Sequence, residues 1–191
     1  MIKPKTRVRA LAVTGMAAVT VAVGTVTYQA SAAETTAPAA GSDARAVAVP
    51  LIPKDIRPPK GSRLIGAYLV ESGTQTYKCS NSIPVGPSTP EAQLIGTGGR
   101  IHHFGGPSWQ SERDGSLVTA TKVAESARPG TIAELLLKVA THSGHGILDE
   151  ADYINRLLTS GGLAPATCPE GASEVAVPYK AVYVFWDAPA V

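Results

Sequence analysis

Val175-Ala176-Val177-Pro178-Tyr179-Lys180-Ala181-Val182-Tyr183-Val184-Phe185-Trp186 is the stretch that decides the fold. It is β-branched and aromatic, the composition of a strand. Beyond Lys180 it has no polar side: Val182, Val184 and Trp186 alternate with Ala181, Tyr183 and Phe185. Successive side chains on a strand point to opposite faces. A run that is apolar on both is buried on both, and such a strand is central to its fold.

Working back from that strand, short extended runs alternate with glycine turns. Leu64 to Val70 and Thr74 to Cys79 flank Ser72-Gly73, a hairpin signal. Ala92 to Gly96 and Ile101 to Phe104 flank Gly98-Gly99, and Trp109 to Glu112 and Ser116 to Val123 flank Asp114-Gly115. The last is the strongest two-residue turn signal in the chain. Many short strands handle their edges by closing a barrel or doubling into a sandwich. The expected fold is therefore mainly β, an antiparallel barrel or sandwich, with room for one or two short helices. Two segments, 131–142 and 149–160, have helical spacing. Thr131 and Glu134 fit a capping box ahead of Ile132, Leu135, Leu136 and Val139. Asp149 fits an N-cap before Ala151, Ile154, Leu157 and Leu158, with Gly161-Gly162 as a stop.

The N-terminus reads as an export signal. Lys3, Lys5, Arg7 and Arg9 form a basic start, Leu11 to Val26 carries no charge, and Ala30-Ser31-Ala32 supplies the small residues of a cleavage site. Residues 1–32 are thus expected to be a cleaved signal peptide, leaving no membrane anchor. Residues 33–61, rich in Ala and Pro, are expected to be a disordered tail, and residues 62–191 a single β-rich domain. Removing the signal changes the charge. The whole chain has 17 Lys+Arg against 15 Asp+Glu, for +2. Four of the basic residues and none of the acidic ones lie in the signal, so the remainder carries −2. No basic patch is left for nucleic acid. In an oxidising compartment the two cysteines, Cys79 and Cys168, are expected to pair, the alternatives being two free thiols or part of a metal site. The bridge would close a loop of about 90 residues.

Several motifs together resemble a family. His103-Phe104-Gly105-Gly106-Pro107-Ser108-Trp109 is followed by Asp114-Gly115-Ser116, then Ile132 to Leu137 and Gly144-His145-Gly146. Tyr153-Ile154-Asn155-Arg156 runs into Thr159-Ser160-Gly161-Gly162-Leu163-Ala164-Pro165, and Cys168 and Val177 to Ala181 close the series. In that order, with Tyr77-Lys78-Cys79 before them, these resemble the secreted family filed as domain of unknown function 3455, from about Arg63 to Trp186. The resemblance implies export and no established activity, so it assigns no catalytic residue. It also implies strands, against the local pattern, in both segments of helical spacing. Some relatives carry a dehydrogenase name. Here Gly96-x-Gly98 is followed by Ile101 where the dinucleotide fingerprint needs a third glycine.

Candidate chemistry rests on histidines and one tryptophan. His103, with His142 and His145, has the nitrogen donors that Zn or Cu prefers. The bland reading is a hydrogen-bonded His103 and two turn histidines. His142-Ser143-Gly144 lacks the flanking pattern of a serine nucleophile. Asp114 fits a turn, and Asp149, Glu150 and Asp152 lack the spacing of a Ca²⁺ loop. Trp109 follows a Gly-Gly-Pro loop, where an exposed indole can stack on a sugar or an apolar ligand. Otherwise it is a core residue covering one end of the sheet. Two functions follow. One is an extracellular binding or structural module, monomeric, without cofactor, taking a small molecule or glycan at His103 and Trp109. The other is a secreted enzyme, metal-dependent through His103 with His142 or His145.

Overall fold

The computed structural model describes residues 46–190, so the expected signal peptide and the start of the tail lie outside the described residues. Eight antiparallel strands follow one another around a closed barrel. They are β1 (Arg63–Ser80), β2 (Ile83–Gly96), β3 (Gly99–Phe104), β4 (Ser108–Ser111), β5 (Leu117–Ser126), β6 (Glu134–Ser143), β7 (Tyr153–Gly161) and β8 (Glu174–Asp187). β1 closes the ring by pairing with both β2 and β8. Closure removes both sheet edges.

The deciding stretch is one strand, β8, with Pro178 inside it. Ala181, Tyr183 and Phe185 point into the barrel. Val182 and Val184 point outward, yet Val184 is fully buried. The cover comes from the segment before the barrel. Val47, Val49 and Ile52 pack on the outer face with Ala67, Leu136, Leu157, Val182 and Val184, and Ile56, in a 3-10 turn at Lys54–Ile56, is fully buried there. Asn155 fastens this strap. Its Nδ2 donates to the carbonyls of Ile56 (2.8 Å) and Leu135 (3.1 Å), and its Oδ1 accepts from Trp186 Nε1 (2.9 Å). The described part of the expected tail, residues 46–61, forms no strand and contains one 3-10 turn, and residues 47–56 are docked rather than free.

Both segments of helical spacing are strands. Leu135 and Leu137 face in while Leu136 faces out under the strap. A run apolar on consecutive positions satisfies a helical template simply because both of its faces are covered. In β7 the ladder to β8 slips between Leu157 and Ser160, and Leu158 takes φ 48°. That irregularity shifts the apolar positions off strict alternation and imitates a 3–4 period. The capping-box residues serve the slip instead. Glu134 Oε1 accepts from Leu158 N (2.7 Å), and Thr131 Oγ1 donates to Gly161 O (2.9 Å).

Ser72-Gly73 makes no hairpin; β1 runs through it with a slip in register at Val70/Ser72. A Cβ on Gly73 would stand 2.7 Å from Ala92 Cβ, so this glycine permits close packing rather than a turn. Gly98-Gly99 does turn the chain, with Gly99 at φ 112°. The nearby Gly96 lies so close to β1 that a Cβ would fall 2.1 Å from Ala67 O, and one on Gly98 would fall 2.3 Å from the Tyr68 hydroxyl, which gives Gly96 and Gly98 a packing role. Asp114-Gly115 sits in a five-residue turn between β4 and β5.

One end of the barrel is plugged. The β6–β7 connection folds across it, placing Leu148 and Ala151 at zero exposure in the interior cluster. Asp114 ties the plug to the β4–β5 turn. Its carboxylate accepts from Ser116 Oγ (2.7 Å), Ser116 N (3.1 Å) and Ile147 N (3.1 Å). These bonds, led by the Ser116 hydroxyl, hold its pKa down to about 2. At the other end Cys79 and Cys168 form a disulfide, Cα–Cα 6.2 Å, that anchors the β7–β8 connection to the tip of β1.

Candidate functional site at the open end of the barrel

The strand lengths leave a notch in the wall opposite the plug. Ala92 pairs with His103, so the first half of β2 extends past the end of β3. Ser108 pairs with Thr119, so β5 likewise extends past β4. The β3–β4 turn, with Gly106 and Pro107, is the low point of the rim. Inside it lies a cavity of about 490 Å³. That volume falls within the range of small-molecule pockets.

The cavity is lined by an aromatic wall. His103 and Trp109 are direct cross-strand partners on β3 and β4, which puts their side chains on one face. Their rings stack at 4.3 Å and 5°. Tyr183 meets both edge-on, 5.0 Å from His103 and 5.8 Å from Trp109. Leu135 and Leu137 supply the aliphatic side. His103 Nδ1 donates to Ser108 O (2.9 Å), so the neutral ring keeps Nε2 as an acceptor. Burial lowers the His103 pKa to about 4, although the Ser108 carbonyl opposes this. Burial also raises the pKa values of Tyr183 and Tyr179, and the two hydroxyls lie 3.3 Å apart.

Arg156 shares the interior. Leu135, Arg156 and Tyr183 lie opposite one another across β6, β7 and β8, one tier beyond Leu137, Ile154 and Phe185. The guanidinium donates through Nε and Nη2 to Ala133 O (3.2 and 2.9 Å). No carboxylate lies within 4 Å of it among the described residues.

The residues expected from sequence fall into two groups. His103 and Trp109 meet and line the cavity. Of the two readings for Trp109, an exposed loop indole and a core residue, the second holds: it lies on β4 at 1% exposure. His142 and His145 lie near the plugged end. His142 Nε2 bonds the Ala151 carbonyl (2.9 Å) and His145 pairs with Asp149 (3.3 Å). Neither joins His103, and no three His, Cys, Asp or Glu side chains gather as a metal site among the described residues. Asp149 caps no helix but accepts from Gly146 N (2.8 Å) within the plug. Tyr183 and Arg156 are site residues that the sequence reading passed over. Reading residues 153–161 as a strand would have put Ile154 and Arg156 on one face, exposing a cation in an inward position.

The model of a family described as a protein of unknown function (DUF3455) matches residues 89–187. The chain belongs to this family. The DUF3455 match begins within β2, later than the Arg63 start expected from the motifs, and ends on the last residue of β8. It therefore includes the aromatic wall and Arg156, while β1 and the strap lie before it. Among curated proteins and among solved structures, nothing matches the chain significantly.

Proposed function

We propose that this protein is a secreted, single-domain binding protein that holds an apolar small molecule in the open end of its barrel. The cavity walled by His103, Trp109, Tyr183, Leu135 and Leu137 carries this reading. Eight strands make a barrel whose interior is either filled by side chains or holds one small ligand. Here the two halves differ. Leu148, Ile154 and Phe185 fill the plugged half, and the cavity occupies the other. Export is supported by the signal-like N-terminus and by a formed disulfide, since structural disulfides persist in oxidising compartments. A compact apolar ligand fits better than a glycan, because one indole face of Trp109 is already covered by His103.

Titration with prodan, a neutral naphthalene dye, tests the reading. One saturable site with a blue-shifted emission is expected. Ala120→Leu, which extends a lining residue into the cavity, should weaken binding about tenfold or more through lost space. A dye that does not bind, or binds Ala120→Leu equally well, overturns the proposal.

A further inference from the structure

We infer that the ligand of this cavity is an anion, a planar apolar molecule bearing a carboxylate that Arg156 holds. This rests on the binding reading above and adds the chemistry of the ligand. The first observation is placement. Arg156 occupies an inward position of the barrel, paired with Leu135 and Tyr183, and lines the cavity. An arginine facing a barrel interior carries a desolvation cost unless a partner offsets it. Its partners among the described residues are neutral: the Ala133 carbonyl, which accepts from Nε and Nη2, and the neighbouring Tyr183 hydroxyl, whose pKa it works to lower against burial. The guanidinium has five N–H donors, more than these two neutral groups take up, so part of the fork remains for a charged partner.

The second observation is the balance of charge. No Asp or Glu lines the cavity. Of its two basic residues, Lys122 is committed at the rim to Glu125 (2.5 Å). Of the acidic residues on neighbouring elements, Glu125 feels the Arg156 charge, which helps to lower its pKa after Lys122, and Glu134 is committed to Arg128 and the Leu158 amide. Glu125 does not reach Arg156 within 4 Å. The third observation is an unpartnered donor. Trp109 is 1% exposed, lines the cavity, and its Nε1 has no hydrogen-bond partner. A buried donor without an acceptor is costly, and an oxygen-bearing ligand would supply one. A planar carboxylate meets all three conditions: its oxygens match the guanidinium fork, and its apolar body suits the wall of His103, Trp109 and Tyr183.

The test compares 2-naphthoate with 2-naphthamide, which share a ring system but differ in charge, using calorimetry on the purified protein. Naphthoate should bind roughly tenfold more tightly, the scale of a charge-assisted pair. Arg156→Gln should remove that preference, so that the variant binds naphthoate no more tightly than naphthamide. Since Arg156 also bonds Ala133, a variant that fails to fold is replaced by Arg156→Lys, which keeps the charge without the fork and should lose part of the preference. Salt gives an independent reading. Raising NaCl from about 20 to about 500 mM should weaken naphthoate severalfold and leave naphthamide unmoved. Equal binding of both probes, insensitive to salt and to Arg156, overturns the anion inference but leaves the cavity proposal standing. Failure of both probes to bind overturns the cavity proposal itself.

Discussion

His103 lies at 2% exposure between an indole face and a tyrosine edge, and that placement sets how it titrates. The folded protein keeps the ring neutral down to about pH 4, whereas in the unfolded chain it takes a proton near 6.5. Between those values the unfolded state binds more protons. Stability therefore falls as pH drops from 6.5 to 4, by about 1.4 kcal/mol per pH unit and about 3 kcal/mol in all. Below pH 4 this contribution is constant. Urea unfolding of wild type and His103→Phe from pH 7.5 to 4 should show the difference between them shifting by that amount. A difference that stays constant across the range would count against the buried neutral ring. Asp114 works over a lower window with the same sign. Its bonds to Ser116 and Ile147 contribute above the ordinary carboxylate range and are lost as pH falls through about 2.

At the scale of elements, the strap is what separates this barrel from the domain expected to begin at Ser62. Ile56 is fully buried, and Val47, Val49 and Ile52 add partial burial on the outer face of the barrel. Burying one large aliphatic side chain contributes about 1.5–3 kcal/mol. A chain beginning at Ser62 should then be less stable than one beginning at residue 46 by about 3–5 kcal/mol in urea unfolding. It would also uncover Leu136, Leu157, Val182 and Val184 and leave Asn155 without Ile56, so soluble aggregation on light scattering should rise. Equal midpoints for the two chains would show that the strap adds nothing. The strap also explains the helical look of residues 131–142. Leu136 is apolar because the strap covers it, and the sequence holds no local sign of a cover arriving from about 80 residues earlier.

For the whole molecule, the disulfide closes a chain segment of 89 residues between β1 and the β7–β8 connection. In the chain-entropy account, such a loop stabilises by about 4 kcal/mol, acting on the unfolded state. Cys79→Ser with Cys168→Ser should lower the Tm by roughly 10 °C or more. Because the bridge lies on the rim of the cavity end, prodan binding to the folded fraction should stay within about twofold. A larger loss would mean that the bridge also shapes the cavity. The barrel thus has two differently secured ends. Leu148, held in place through Asp114, closes one. The other is braced by a covalent link and left open above Trp109.

The amino-acid sequence by itself determined the class of fold, the two turns at Gly98-Gly99 and Asp114-Gly115, the central, doubly buried character of β8, and the family. It also picked out His103 and Trp109, because short-range alternation and glycine punctuation are written locally. Only the tertiary structure decided that the sheet closes as a barrel, that the two segments of helical spacing are strands, and that residues 47–56 are docked. Each of these depends on what covers a face, and the covering residues are far away in the chain. The site follows the same rule. The His103–Trp109 stack is a contact between adjacent strands and could be foreseen, whereas Arg156 joins it only because β7 and β8 bring it across the barrel to Tyr183.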